Sequence, residues 1–503
     1  RIAASTPLGK SSALSPIYQD VFLLGYHAFM AHDYEHALDL LSEATLASPK
    51  HALAWLYLGK TQMAVHSFEE ASYTFKKLGQ FKTWQQQSIY LQAKALMQKE
   101  AWLDVKSLVD DAEASGNIDA YLYSLSAQAL MQLDDVPSAI YYLSQAISLE
   151  PSSPTWHLAL ADANFKLGAE KNATAELLLA TQLAGNKIQS WLEIARTYTK
   201  YKMYDDAIVA YERALAIDPK NQQALPELAK LHLSQNNIGD ARILATRMSG
   251  IPELKSTSYY ILGQVALAEE KAPLALAMLA KAGQTEPNNA NIWLAMANAY
   301  AKLNQPKRET EFLIKANAVD DNNLHVHLRL ATACTAKQDL PCALEHYKRA
   351  VTIDSSNITA QLGFAQTAMA MGNMVEAHAH VQEALNINPS SIEAHLTLAK
   401  VQSARGMIPA SIATLKKALL IDDTNMQVYL ALSQAYIDNH MYDEAIAMTD
   451  KAMLLDVRDP APLILSGNVY LARQSFDLAI AAFEKAVALA PDNAKFRFQL
   501  NTT

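Results

Sequence analysis

The residues of this chain best placed to do chemistry are two cysteines, two histidine pairs and several adjacent acids. Cys334 and Cys342 stand in the stretch TACTAKQDLPCALEHY, around what reads as a turn between two helices. If the helices fold back on each other, a disulfide across the turn is geometrically feasible. It would point to an oxidising compartment. The other reading is two separate cysteines, Cys334 half-buried at the end of its helix. His325/His327 and His378/His380 form HxH pairs. On a helix such residues project about 200° apart, so neither pair makes a chelating face and no metal is expected. Asp134–Asp135 and Asp205–Asp206 precede or open helices, where carboxylates favour the helix dipole rather than acid/base work. Asn172 in NAT and Asn357 in NIT match the glycosylation triplet, a pattern common by chance. A glycine-rich phosphate loop, GxSxG, HExxH and CxxC are all missing from the sequence. No catalytic residue, cofactor or enzyme activity is therefore expected.

Composition narrows the partners. The chain has 503 residues, half of them apolar, 18% charged, with a formal net charge of −9. A mildly acidic surface argues against nucleic acid, which needs a basic stripe. No apolar run is long enough to cross a membrane. The first residue is Arg1, and residues 1–17 are rich in Ser, Ala and Pro, read as a flexible lead-in that follows a cleaved leader or a chain boundary.

The elements that position these residues emerge from the stretch 188–221, IQSWLEIARTYTKYKMYDDAIVAYERALAIDPKN. Trp191, Ile194, Ala195 and Tyr198 fall at i, i+3, i+4 and i+7, one face of a helix. Ala207, Tyr211 and Ala214 do the same in a second helix, and Pro219 ends it. Laid outward without insertion, the same 34-residue frame starts at 18, 52, 86, 120, 154, 188, 222, 256, 290, 324, 358, 392, 426 and 460 and ends at 493. Its eighth position is always Gly, Ala or Ser, from Gly25 and Gly59 to Ser433 and Gly467. Two further columns are mostly alanine, for example Ala207 and Ala214, as close helix crossing requires. Departures sit at Leu78, Val105, Met248, Glu309 and Ser411, and these repeats are expected to be looser or bent. A buried Glu309 would be costly, so it should turn outward or find a partner. Residues 494–503 begin a capping helix too short to finish, and the natural chain is expected to continue.

This pattern of an early large residue, small residues at fixed points and a closing proline resembles the tetratricopeptide repeat. The resemblance covers about residues 18–493. It implies an all-α fold, a right-handed superhelical α-solenoid of about fourteen 34-residue helix-turn-helix units. It also implies that positions 2, 5, 9, 12 and 13 of each unit face a groove. Those positions are aromatic and methionine-lined near the N-terminus. The candidate peptide-binding residues are Phe22, Tyr26, Phe29, Lys60, Met63, Tyr90, Lys94, Met97, Tyr121, Gln128, Met131 and Phe165. Methionine suits varied apolar partners, and aromatics and amides supply anchors and hydrogen bonds. The alternative is that position 5 contacts the neighbouring repeat and the methionines fill gaps. Aliphatic or aromatic residues at position 5 disfavour the carboxylate clamp of chaperone-tail binders.

The expected function is a non-catalytic scaffold or adaptor for protein or peptide segments. Long alanine-rich arrays of this kind resemble parts of bacterial envelope assemblies for exopolysaccharide export or pilus biogenesis, which favours a periplasmic or envelope location over the cytoplasm. Two alternatives are a cytoplasmic regulatory adaptor and the repeat domain of a larger enzyme such as a glycosyltransferase. A polysaccharide ligand is a further class, for which Tyr26, Tyr90 and Tyr121 stand without clear acids beside them.

Overall fold

The computed structural model describes residues 16–491. The expectations for the lead-in and for the capping tail 494–503 fall largely or wholly outside the described residues. Among those, the chain is all α-helical, with two short 3-10 turns and no strand. Within each compact unit the helices pair as antiparallel hairpins stacked in sequence order, an α-solenoid architecture. First helices begin at Pro16, Ala52, Gln85, Ala120, Pro154, Ile188, Ala224, Lys255, Ala290, Leu324, Ile358, Ile392, Met426 and Ala461. Two compact units divide between Leu244 and Ala245.

Small residues explain the close helix pairing. The eighth position of the frame is buried at every copy. At Gly59 and Gly467 an added Cβ would collide with the rings of Phe75 and Phe483, sixteen residues on. At Gly25 it would come 2.9 Å from Leu41 Cγ. A large side chain on one helix thus demands a bare backbone on the other, and Ala195 opposite the buried Tyr211 is a milder case of the same trade.

Each first helix ends in the same way. The second residue after it sits in the left-handed region, with φ near +60° at His32, His66, Glu100, Asp134, Lys202, Asn236, Glu270, Gln338, His440 and Gln474, 54° at Asn304, and with glycine at 168, 372 and 406. The following amide then reaches back to close the helix, as in Met203 N–H to Tyr198 O at 2.9 Å and Asp339 N–H to Cys334 O at 2.9 Å. This is a left-handed C-terminal cap, and non-glycine residues occupy it at a conformational cost.

The irregular repeats have individual solutions. Leu78 and Met248 are fully buried where alanine is usual. Their helices, Phe68–Leu78 and Ile238–Met248, are only 11 residues long, and 3-10 turns at Lys82–Trp84 and Pro252–Leu254 lead into the next first helix. Ser411 is buried but its hydroxyl donates to Ala399 O at 2.9 Å. Glu309 finds a partner in the following repeat: Arg329 Nη2 donates to its Oε1 at 2.6 Å, and Arg329 Nη1 donates to Asn298 Oδ1. One guanidinium therefore ties three helices, Ala290–Lys302, Pro306–Val319 and Leu324–Ala336.

Candidate functional site

In the first unit the candidate groove residues gather into three groups. Phe22, Tyr26 and Phe29 project from the helix Pro16–Met30 toward Tyr57 of the next first helix, Ala52–Ala64. Tyr26 and Tyr57 meet edge to face at 4.8 Å, and Phe29 and Tyr57 at 5.4 Å. Lys60 Nζ lies 4.9 Å over the Tyr57 ring, a cation–π arrangement. Burial holds the Lys60 ammonium below the ordinary lysine value and raises the Tyr57 phenol, with the neighbouring Tyr26 adding to the rise. Phe22 itself is buried against His51 at 4.5 Å, so it serves the core more than a surface.

The second group joins Tyr90 and the exposed Tyr121, with ring centroids 5.5 Å apart. Tyr90 Oη donates to Asp119 Oδ2, and Gln86 Nε2 donates to the same oxygen at 3.2 Å. The expectation that no acid stands beside these tyrosines is corrected here. Asp119 caps the helix Ala120–Gln132 by accepting from Leu122 N, which places its second oxygen against Tyr90. In the third group Phe165 stacks on Tyr201 at 3.8 Å, and Tyr201 Oη donates to Asp162 Oδ1 at 2.5 Å. Met63, Met97 and Met131 are half-buried and pack on the adjoining cores, while Lys94 and Gln128 are exposed. Position 5 is buried at Leu56, Leu158, Leu192 and Leu362, as a packing role requires. Tyr57 and Tyr201 escaped the sequence reading because neither occupies a groove position of the frame.

A second cluster lies in the other unit. Cys334, late in the helix Leu324–Ala336, and Cys342, early in Leu340–Ile353, are joined as a disulfide with Cα atoms 5.8 Å apart. A ring nitrogen of His346 and the two sulfurs lie within 4.8 Å of one another, all three residues half-buried. His346 Nδ1 is 3.0 Å from His327 Nδ1, and His327 Nε2 is 2.8 Å from Asp321 O. The HxH pairs drew attention to His325 and His327. The informative spacing was instead Cys342 to His346, i and i+4 on one helix face.

His327 belongs to a recurring device. The fourth residue of the frame donates to a carbonyl six residues earlier, in the turn that precedes its helix. Trp55 reaches Pro49 O at 2.9 Å, Trp191 Gly185 O at 2.8 Å, Trp293 Pro287 O at 2.8 Å, Gln361 Ser355 O at 2.8 Å and Tyr429 Asp423 O at 3.0 Å. The early large residue noted in the sequence is thus a clamp on the turn between hairpins. At His157 and Gln361 the other polar atom meets the second helix: His157 Nδ1 with Glu176 Oε2 at 2.6 Å, and Gln361 Oε1 with His380 Nδ1 at 2.7 Å.

Family models described as tetratricopeptide repeat match residues 188–221, 336–401 with 368–425, and 125–187 with 430–494. No curated protein matches the chain. Among solved structures, the Cut9 and Hcn1 hetero-tetramer of the APC/C is similar at 16% identity, covering 97% of this chain and 96% of that one, with a TM-score of 0.38. A tetratricopeptide repeat protein from Parabacteroides merdae is 16% identical over 49% of this chain and 97% of that one, TM-score 0.40. Pseudomonas aeruginosa pilF is 16% identical over 42% and 97%, TM-score 0.35. The stacked hairpins, the three columns of small residues and the family matches lead to one assignment: the chain belongs to the tetratricopeptide repeat family.

Proposed function

We propose that the chain is a non-catalytic scaffold that holds an extended or helical peptide segment of a protein partner against the aromatic, methionine-lined first helices of its N-terminal unit. The observation that carries this reading is the contact of Tyr26 with Tyr57 across successive first helices, beside Lys60. Aromatic surface is continuous from one repeat to the next there, and half-buried aromatics are the usual anchors of interfaces. Tyr90 and Tyr121 extend the surface, and Lys94 and Gln128 border it with polar groups. No described helix is long and apolar enough to cross a membrane. A peptide library panned against the full chain tests the proposal. Selected peptides should bind the Tyr90→Ala/Met97→Ala variant at least about 10-fold more weakly, on the order of one hot spot, with helicity unchanged. Equal binding by the variant overturns the reading.

An envelope assembly, for exopolysaccharide export or pilus biogenesis, is the finer version of this proposal. The Cys334–Cys342 disulfide supports it, because such bonds persist in oxidising compartments. Alkylation of freshly broken cells separates the two settings. A protected pair fits the envelope, and freely alkylated thiols fit a cytoplasmic adaptor.

A further inference from the structure

We propose that the reduced form of the hairpin built from Leu324–Ala336 and Leu340–Ile353 binds a thiophilic d10 cation, Zn2+, through Cys334, Cys342 and His346. The site is independent of the peptide groove and of its residues.

The donor set fits the ion. Two thiolates and one imidazole are typical zinc ligands, with Zn–S near about 2.3 Å and Zn–N near about 2.0–2.1 Å, so tetrahedral binding holds the donors roughly 3.5–3.8 Å apart. The two sulfurs and the imidazole nitrogen already lie within 4.8 Å of one another. After reduction the sulfurs must part from bonding distance and the imidazole nitrogen draw in to the tetrahedral spacing, movements of the kind that rotation about side-chain bonds supplies. All three donors are half-buried, which leaves an entry path and a fourth position for water or a partner's side chain.

With both rings neutral, the hydrogen-bond chain selects one tautomer of His346. Asp321 O only accepts, so His327 Nε2 at 2.8 Å carries a proton. His327 Nδ1 is then bare and accepts from His346 Nδ1–H at 3.0 Å. The lone pair of His346 that remains is on Nε2, the nitrogen the proposal assigns to the metal. A ligating histidine whose other nitrogen donates to a fixed acceptor is the common second-layer arrangement of metal sites. The next hairpin supplies an internal control. There Gln361 holds His380 in the same way, with Nε2 on Ser355 O and Oε1 at 2.7 Å from His380 Nδ1, but the chain has no other cysteine to join it. Only the 324–353 hairpin adds sulfur to a pre-oriented imidazole.

The two states exclude each other because they use the same sulfur atoms. A dithiol reductant transfers two electrons and two protons to the Cys334–Cys342 bond, which breaks to two thiols while the reductant closes its own disulfide. Zn2+ then replaces the two thiol protons, which leave to solvent, and neutral His346 adds its lone pair without proton exchange. Metal retention by the full chain would therefore report the redox state around it.

The test is zinc titration of the full chain against a chromophoric chelator, before and after reduction with a phosphine that is itself a poor zinc ligand. The expected result is one Zn2+ bound per reduced chain and none at the same free zinc in the oxidised chain. Co2+ in place of Zn2+ should give sulfur-to-metal charge-transfer absorption only after reduction. Cys342→Ser should abolish both signals, and His346→Ala should weaken binding at least about 10-fold. His327→Leu should weaken it by about 10–100-fold, the usual cost of an outer-layer partner, and His327→Gln should restore it, because glutamine does the same work at 361. Helicity measured on each variant separates loss of ligand from loss of fold. Binding by the oxidised chain, binding indifferent to Cys342→Ser, or no uptake by a reduced chain of native helicity overturns the proposal.

Discussion

The hairpin of Ile188–Lys200 and Tyr204–Ile217 and the hairpin of Leu324–Ala336 and Leu340–Ile353 share one backbone plan but are held together differently. Both end the first helix on a left-handed residue, Lys202 or Gln338. Both clamp the preceding turn from the fourth position, through Trp191 or His327. The second helix of the former buries Ala207, Ala210, Tyr211, Ala214 and Leu215, whereas that of the latter fully buries only Ala343 and Ala350. A disulfide spans the second hairpin where packing is thin. The lesson is that the repeat sets the backbone while each copy chooses its own cohesion. The densely packed copy carries no cysteine. The thinly packed copy keeps two sulfurs and an imidazole half-exposed.

That contrast can be broken by experiment. The largest effect is expected from Tyr211→Ala in the packed hairpin. Tyr211 is 1% exposed, so truncation should cost about 3–5 kcal/mol, the range for large buried rings. Urea denaturation of the full chain would read it. Tyr347→Ala, at the half-buried equivalent, should cost less than half as much, and equal losses would erase the distinction. Next, reducing the disulfide should weaken the 324–353 hairpin by about 2–3 kcal/mol, the chain-entropy value for a short loop. Hydrogen exchange should locate the change at its amides and leave 188–217 untouched. Trp191→Phe removes the donor to Gly185 O together with part of the ring and should cost at least about 0.5–1.5 kcal/mol, a typical net hydrogen bond. A thermal-melt series would detect it. The smallest effect sharpens what is shared: Lys202→Gly and Gln338→Gly should each stabilise by about 0.5–1 kcal/mol, relief of left-handed strain less the entropy of glycine. Gains of unlike size would mean that the two turns are not equivalent.

Much of the fold was legible in residue types. Helical spacing and small residues at fixed positions follow from local sterics, so the hairpins could be read from Ala195, Ala207 and Ala214 before any coordinate. Glu309 was flagged as unusual by the same logic. Its partner Arg329 was not, because it comes from the next hairpin, twenty residues on. Asp119 beside Tyr90 escaped for a similar reason: only its cap geometry places it on the neighbouring first helix's tyrosine. Cys342 and His346 sat at helical spacing in plain view, but Cys334 and His327 join them only when the helix folds back.

What the sequence by itself determined is the architecture: a 34-residue period of small and large side chains that can bury its apolar face only as paired, stacked helices. What only the tertiary structure decided is how polar atoms meet across each hairpin. Whether the fourth residue's second polar atom faces Glu176, His346 or His380 depends on residues nineteen positions apart, brought together by the turn and selected by rotamer. Local propensity is blind to such pairs, because their energy exists only once both helices are in place.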